Sequence, residues 1–287
     1  MSPDSASGAP PSPSLRRQAL EALLVADPDA KMASTHRLWA AFEALGDDAD
    51  LARALCIDED LRTDESCLPG RPGHPLLISP AEVPHRSPFT PEGLAALLHA
   101  IAHIEFNAIN LALDAVWRFA NMPAAFYRDW MRVAHEEATH FALLRAELRL
   151  LDHDYGDFPA HDGLWEMCIK TREDIVARMA LVPRTLEARG LDATPLIQAR
   201  LRKVGSPAAL RAIAALDIIL RDEVGHVAIG NHWYGWLCHR EHLDPLAHYR
   251  VLARRHEAPR PRPPFNEAAR QRAGFSPDEM AYLYSQG

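Results

Sequence analysis

Between Trp130 and Leu151 the apolar residues recur at helical spacing. Positions 130, 133, 134, 137, 140, 141, 144, 148 and 151 fall on one side of a helix. Seven of these nine are Trp, Val, Ala, Phe or Leu, and the other two are Glu137 and His140. A second stripe runs through 216, 219, 220, 223, 226, 227 and 230, apolar except for Glu223 and His226. A carboxylate and an imidazole on a dry stripe cost several kcal/mol unless something pairs with them. A divalent metal meets that need, through oxygen and ring nitrogen. Each Glu-x-x-His also follows an acid, giving Glu136-Glu137-x-x-His140 and Asp222-Glu223-x-x-His226.

The same periodicity sets the other elements. Leu15–Val25, Thr35–Leu45 and Ala49–Ile57 read as amphipathic helices of an N-terminal cap, residues 14–60. Residues 61–90 are dense in Pro and Gly and read as an extended connector. Thr90-Pro91-Glu92 starts a helix reaching about Ala120, with Ile101, Glu105, Ala108, Ile109, Ala112 and Val116 facing inward. Met122-Pro123 breaks the chain before the Trp130 helix, which ends near Asp152. A third core helix is expected from about Asp162 to Arg189, kinked at Pro183 and capped by Gly190. Leu191–Val204 reads as a linker with a short helix, and Ser206-Pro207 opens a fourth core helix to about Cys238. Residues 91–240 thus form an all-α four-helix core. Residues 241–287 form a C-terminal arm with one short helix started at Ser276-Pro277.

Two helices bearing Glu-x-x-His, each preceded by a helix with an inward Glu, match the pattern of a ferritin-like dinuclear carboxylate site. Glu105 serves the first hairpin. Glu187 and Glu173 compete on the third helix. The face around Glu173 is drier, but Glu105 to Glu137 spans 32 residues and Glu187 to Glu223 spans 36, so hairpin spacing favours Glu187. The expected metal ligands are Glu105, Glu137, His140, Glu187, Glu223 and His226. Glu136 and Asp222 are expected behind them, each reaching the His of the opposite hairpin. Oxygen and nitrogen donors without thiolate suit two ions of the Fe or Mn class.

Composition narrows the rest. Four scattered cysteines lack C-x-x-C spacing and fit a reducing, cytoplasmic setting. Residues 1–13 read as a disordered tail without a signal pattern, and no apolar run looks long enough to span a membrane. Net charge is −8, which gives no sign of a bulk grip on nucleic acid. His99 and His103 have the i,i+4 spacing of a zinc pair but lie off the Glu105 stripe and read as a solvated face or a cap, while Asn107, Asn110 and Asp114 read as interhelical hydrogen-bonding groups, with lining of a substrate channel as the alternative. Tyr234, two turns beyond His226, reads as packing, with an oxidisable neighbour of the site as the alternative.

Several blocks resemble a known family: Leu113 to Phe119, Phe126 to Trp130, Tyr155 to Trp165, Arg178 to Arg184 and Arg221 to Gly230. They are similar to the bacterial ferritin-like proteins grouped as family 455 of the domains of unknown function. The resemblance implies a ferritin-like core with the six ligands above. A distant similarity, through Glu187-Ala188-Arg189 and the paired Glu-x-x-His, is to di-iron hydroxylases that modify transfer RNA. The function expected is an O2-dependent di-iron oxidase or monooxygenase, a monomer or dimer acting on a small-molecule or macromolecular substrate, with O2 as co-substrate. The alternatives are iron or manganese binding, storage or detoxification, and a purely structural metal.

Overall fold

The computed structural model describes residues 13–286, so the expected N-terminal tail lies outside the described residues except for Pro13. The described chain is all-α, and its one β-type contact is an isolated bridge between Leu77 and Ala160. The N-terminal helices are α1 (Leu15–Leu24), α2 (Pro28–Glu43) and α3 (Asp48–Leu55). α2 starts seven residues before the expected Thr35, because Asp27 caps the Ala30 N–H and Pro28 occupies the first turn. The connector returns to the cap at Gly70, whose N–H donates to the Leu23 carbonyl at 2.9 Å. The buried Lys31 ammonium donates to the Leu23 and Gly70 carbonyls and to Asn110 Oδ1. One lysine therefore ties cap, connector and core together.

The core consists of two helical hairpins. The first joins α4 (Pro91–Arg118) to α5 (Ala124–Arg149), packed along their lengths. α4 holds an 18-residue window of mean hydropathy 1.3, so one helix does meet the length and composition of a membrane span. That window is 78% buried within the protein, because α4 spends its apolar surface on α1 and α5.

The second hairpin departs from expectation. The proposed third helix is divided: α6 (Gly163–Lys170) ends at Thr171, and Asp174 caps a new helix, α7 (Ile175–Leu181). A π-helical turn, Val182–Glu187, follows and runs directly into α8 (Ala188–Val204). Gly190 does not end the helix. The expected linker is helical because Leu191, Thr194, Gln198 and Leu201 bury one face. Pro195 lacks the N–H that would bond the Leu191 carbonyl. Asn266 Nδ2, far along the chain, supplies that bond at 3.1 Å. The true stop is Gly205, left-handed at φ 67°. α9 (Pro207–Arg240) returns along α8, the π turn and α7, and also packs against α5.

The arm holds three helices rather than one: α10 (Pro245–Arg255), α11 (Glu267–Arg272) and α12 (Pro277–Ser285). Asp244 caps α10 ahead of Pro245, and Ser276 with Glu279 closes a capping box on α12.

Candidate metal centre

The two Glu-x-x-His stripes meet where α5 packs on α9. Glu105, Glu137, His140 and Glu223 each offer one ligand atom, and these atoms lie within 4.8 Å of one another. His140 Nδ1 is 3.3 Å from Glu105 Oε2 and 3.4 Å from Glu137 Oε2. His226 Nδ1 is 2.9 Å from Glu137 Oε1 and 3.5 Å from Glu223 Oε1. Glu137 thus stands between the two imidazoles, whose ring centroids are 5.7 Å apart.

The outer ring nitrogens cross between hairpins. His140 Nε2 faces Asp222 Oδ2 at 3.2 Å, and His226 Nε2 faces Glu136 Oε2 at 2.7 Å. Each carboxylate accepts from Nε2–H and so turns Nδ1 toward the centre. The acids preceding the two motifs therefore hold the histidines of the opposite hairpin in place.

Glu187 closes the group from the π turn. It is buried, with Glu223, Glu137 and His226 as its charged neighbours. Glu173 is remote in character: its side chain is 83% exposed and pairs with Arg172 at 3.4 Å. The structure brings Glu105, Glu137, His140, Glu223 and His226 into contact, sets the buried Glu187 beside them as a charged neighbour, and leaves Glu173 at the surface.

Electrostatics shows what this gathering costs. Burial, reinforced by Glu137, holds the Glu105 carboxyl well above its usual range, and burial with Glu223 does the same to Glu187. Burial and Glu137 also raise Glu223. Burial opposes charge on His140, yet hydrogen bonds to Glu105 and Glu137 push it up to about 11. Burial likewise opposes charge on His226, and Glu137 with Glu136 outweighs it. Glu137 is the exception among the carboxyls: burial would raise it, and the two imidazoles hold it well below the ordinary range. The cluster on its own therefore retains protons on groups that lose them in neutral solution. Glu187 Oε2 is buried without a hydrogen-bond partner, and Glu105 Oε2, Glu137 Oε1 and His226 Nδ1 are buried with only the cluster's own imidazoles and carboxylates to face. Unmet buried polar atoms are rare and each costs about 1–3 kcal/mol. A nitrogen-and-oxygen cluster left in this state fits divalent cations, which would satisfy the lone pairs and displace the protons.

The neighbouring polar residues have other work. His99 and His103 are buried, not solvated. His99 Nε2 accepts from the Gly156 N–H at 2.9 Å, and His103 bonds the Tyr155 hydroxyl at 2.9 Å, so both anchor the loop after α5. Spacing put them off the Glu105 stripe, but the loop covers that second face. Asp114 bridges helices by accepting from Arg178 on α7 and Arg118 on α4. Tyr234 donates to the Pro245 carbonyl at 2.7 Å and packs on Arg184. Arg178 and Arg184 escaped the sequence reading, because a buried arginine on an apolar helix carries no spacing signal.

The model of the family described as "Protein of unknown function (DUF455)" matches residues 24–281. The chain belongs to the DUF455 family. An uncharacterized protein of Haemophilus influenzae (strain ATCC 51907 / DSM 11121 / KW20 / Rd) is 51% identical over 220 residues, covering 74% of this DUF455 chain and 75% of that protein. No solved structure matches.

Proposed function

We propose that this DUF455 protein holds two metal ions, iron foremost, in a ferritin-like four-helix bundle, and that it is an O2-dependent oxidase or monooxygenase. One observation carries the reading: ligand atoms of Glu105, Glu137, His140 and Glu223 within 4.8 Å of one another, flanked by His226 and Glu187, between two hairpins. Such a donor set, four carboxylates and two imidazoles, balances two divalent charges and leaves coordination positions open.

Each Glu137 oxygen faces a different imidazole, so Glu137 would serve as a ligand beside either histidine. His140 and His226 would ligate through Nδ1, because Asp222 and Glu136 take the Nε2 protons. Glu105, Glu187 and Glu223 would surrender protons as metal enters. Apolar neighbours such as Ile109, Phe141 and Ile219 exclude water from the surrounding core. When bound, redox-active ions of this class supply the electrons that activate O2.

The test is anaerobic loading of chelator-treated protein with Fe(II), then admission of O2 with an electrode following its uptake. Two irons per chain and stoichiometric O2 uptake are expected. Two bound irons that stay ferrous in air would end the oxygenase reading. Many irons per chain in a large assembly would favour storage instead.

A further inference from the structure

The C-terminal arm reverses the charge of the chain. Net charge is −8, yet residues 245–264 contain five arginines and one acid, Glu257. Three of the arginines, Arg250, Arg254 and Arg260, line a single cleft together with Tyr249 and Tyr282. The cleft lies among α10, the Pro-rich segment after it and α12, and its volume is about 650 Å³. That is the size of pocket that takes a nucleotide-sized ligand. Its one acid, Glu257, is exposed and 3.7 Å from Lys170. Among the described residues none of the three arginines is within ion-pair distance of a carboxylate. Arg250 lies over the Tyr282 ring at 4.5 Å, and Arg254 Nε donates to the Arg250 carbonyl at 3.2 Å.

A second observation comes from a recess that shares lining residues with the cleft. Tyr249, Pro261 and Tyr282 also wall this recess of about 10 Å³, which Arg184 lines as well. Arg184 is 5% exposed. Its Nε donates to Asn231 Oδ1 at 2.8 Å and its Nη2 to Glu279, but Nη1 is buried without a partner. A cleft with three unpaired guanidinium groups on its walls thus adjoins a fourth that is buried and incompletely satisfied.

We infer that this cleft is a binding site for a small phosphate-bearing anion, with the ligand's phosphate oxygens on Arg250, Arg254 and Arg260. Guanidinium forks match phosphate oxygens two at a time, and three of them call for more than one negative charge. The cations converge on one concavity instead of tracking along a face, which suits a compact anion better than a nucleic-acid strand. The site shares no residue with the Glu/His cluster and does not depend on its metal.

Isothermal titration of the full chain with sodium tripolyphosphate tests the assignment. The variants are Arg250→Glu/Arg254→Glu, and Arg200→Glu/Arg202→Glu on the exposed side of α8 as a charge-matched control. Melting curves report whether each variant is folded. Wild type and control should bind one anion per chain, more weakly at 200 mM than at 50 mM salt. The cleft variant should lose at least tenfold in affinity. Any heat from metal chelation persists in the cleft variant, so the difference isolates the cleft. Equal binding by the cleft variant, or an equal loss in the control, overturns the inference. So does tight binding of a single-stranded RNA oligonucleotide without binding of tripolyphosphate.

Discussion

Replacing Glu187 by Met separates what the residue does for folding from what it does for metal. In the metal-free protein its Oε2 is buried without a partner, and Glu223 and Glu137 press further negative charge on it. An unmet buried polar group costs about 1–3 kcal/mol, and a Met of similar length removes that cost while filling the space. Chelator-treated Glu187→Met should therefore be more stable than chelator-treated wild type by about 1–3 kcal/mol. At roughly 2–4 °C per kcal/mol for a chain of this size, the midpoint should rise by about 2–12 °C. Metal content should move the other way, to about one ion per chain or fewer, because a carboxylate ligand is gone. Glu173→Met is the control: its exposed side chain predicts a change within about 0.5 kcal/mol and unaltered metal. Calorimetry on chelated samples and elemental analysis on loaded ones read both quantities. A metal-free Glu187→Met that melts several degrees below wild type would refute the reasoning, since it would mean the carboxylate is satisfied by the protein itself. Full metal occupancy in Glu187→Met with loss in Glu173→Met would show that hairpin spacing picked the wrong acid.

Three further outcomes follow from the packing around the cluster. Arg178→Met leaves the buried Asp114 carboxylate with Arg118 as its one remaining cation, and should cost about 1.5–3 kcal/mol in urea unfolding; adding Asp114→Asn should recover part of it. Gly230→Ala would set a Cβ 2.5 Å from Pro183 Cβ, so it should cost about 1–3 kcal/mol and also lower metal content by displacing the turn that carries Glu187; a wild-type melting curve would contradict this. Burial pushes His99 down to about 4 from an ordinary 6.5, so the unfolded chain binds the proton more readily. Stability should therefore be complete above pH 6.5 and fall as pH drops from 6.5 toward 4, by an amount on the order of 3 kcal/mol from this residue. His99→Gln should flatten that part of the pH profile.

The sequence carried the first hairpin and α9 well, because their signals are local. Glu137 and His140 interrupt an apolar stripe at 3.6-residue spacing, and so do Glu223 and His226. The acids Glu136 and Asp222 were legible for the same reason: position fixes which way they point. The third helix was not legible, because its continuity is settled from far away. Gly190 and Pro195 both argue for an end, and the bond that answers Pro195 comes from Asn266 in the arm. His99 and His103 were misread as solvated because the loop that buries them begins some fifty residues later. Asp244-Pro245 carries the same cap-then-proline start for α10 that Ser206-Pro207 carries for α9, although a Pro-rich stretch follows α10.

The π turn explains how one short segment serves two surroundings. Arg184 and Glu187 are three residues apart, and on a regular α-helix they would lie on nearly the same face, roughly 60° apart. In this protein they look different ways. Arg184 is surrounded by Tyr234, Tyr249 and Phe275, with its guanidinium carbon 5.0–5.2 Å from each ring centre. Glu187 faces Glu223, Glu137 and His226. A turn wider than α separates successive side chains by a smaller angle and so moves residues three apart further from one face. Pro183 makes the wider turn inexpensive, because it has no N–H to leave unpaired, and Thr185 Oγ1 supplies a bond to the Ala180 carbonyl at 2.8 Å. Gly230 on α9 leaves room for the Pro183 ring. The height and direction of Glu187 thus rest on a proline, a glycine and a threonine, none of which carries metal-binding chemistry.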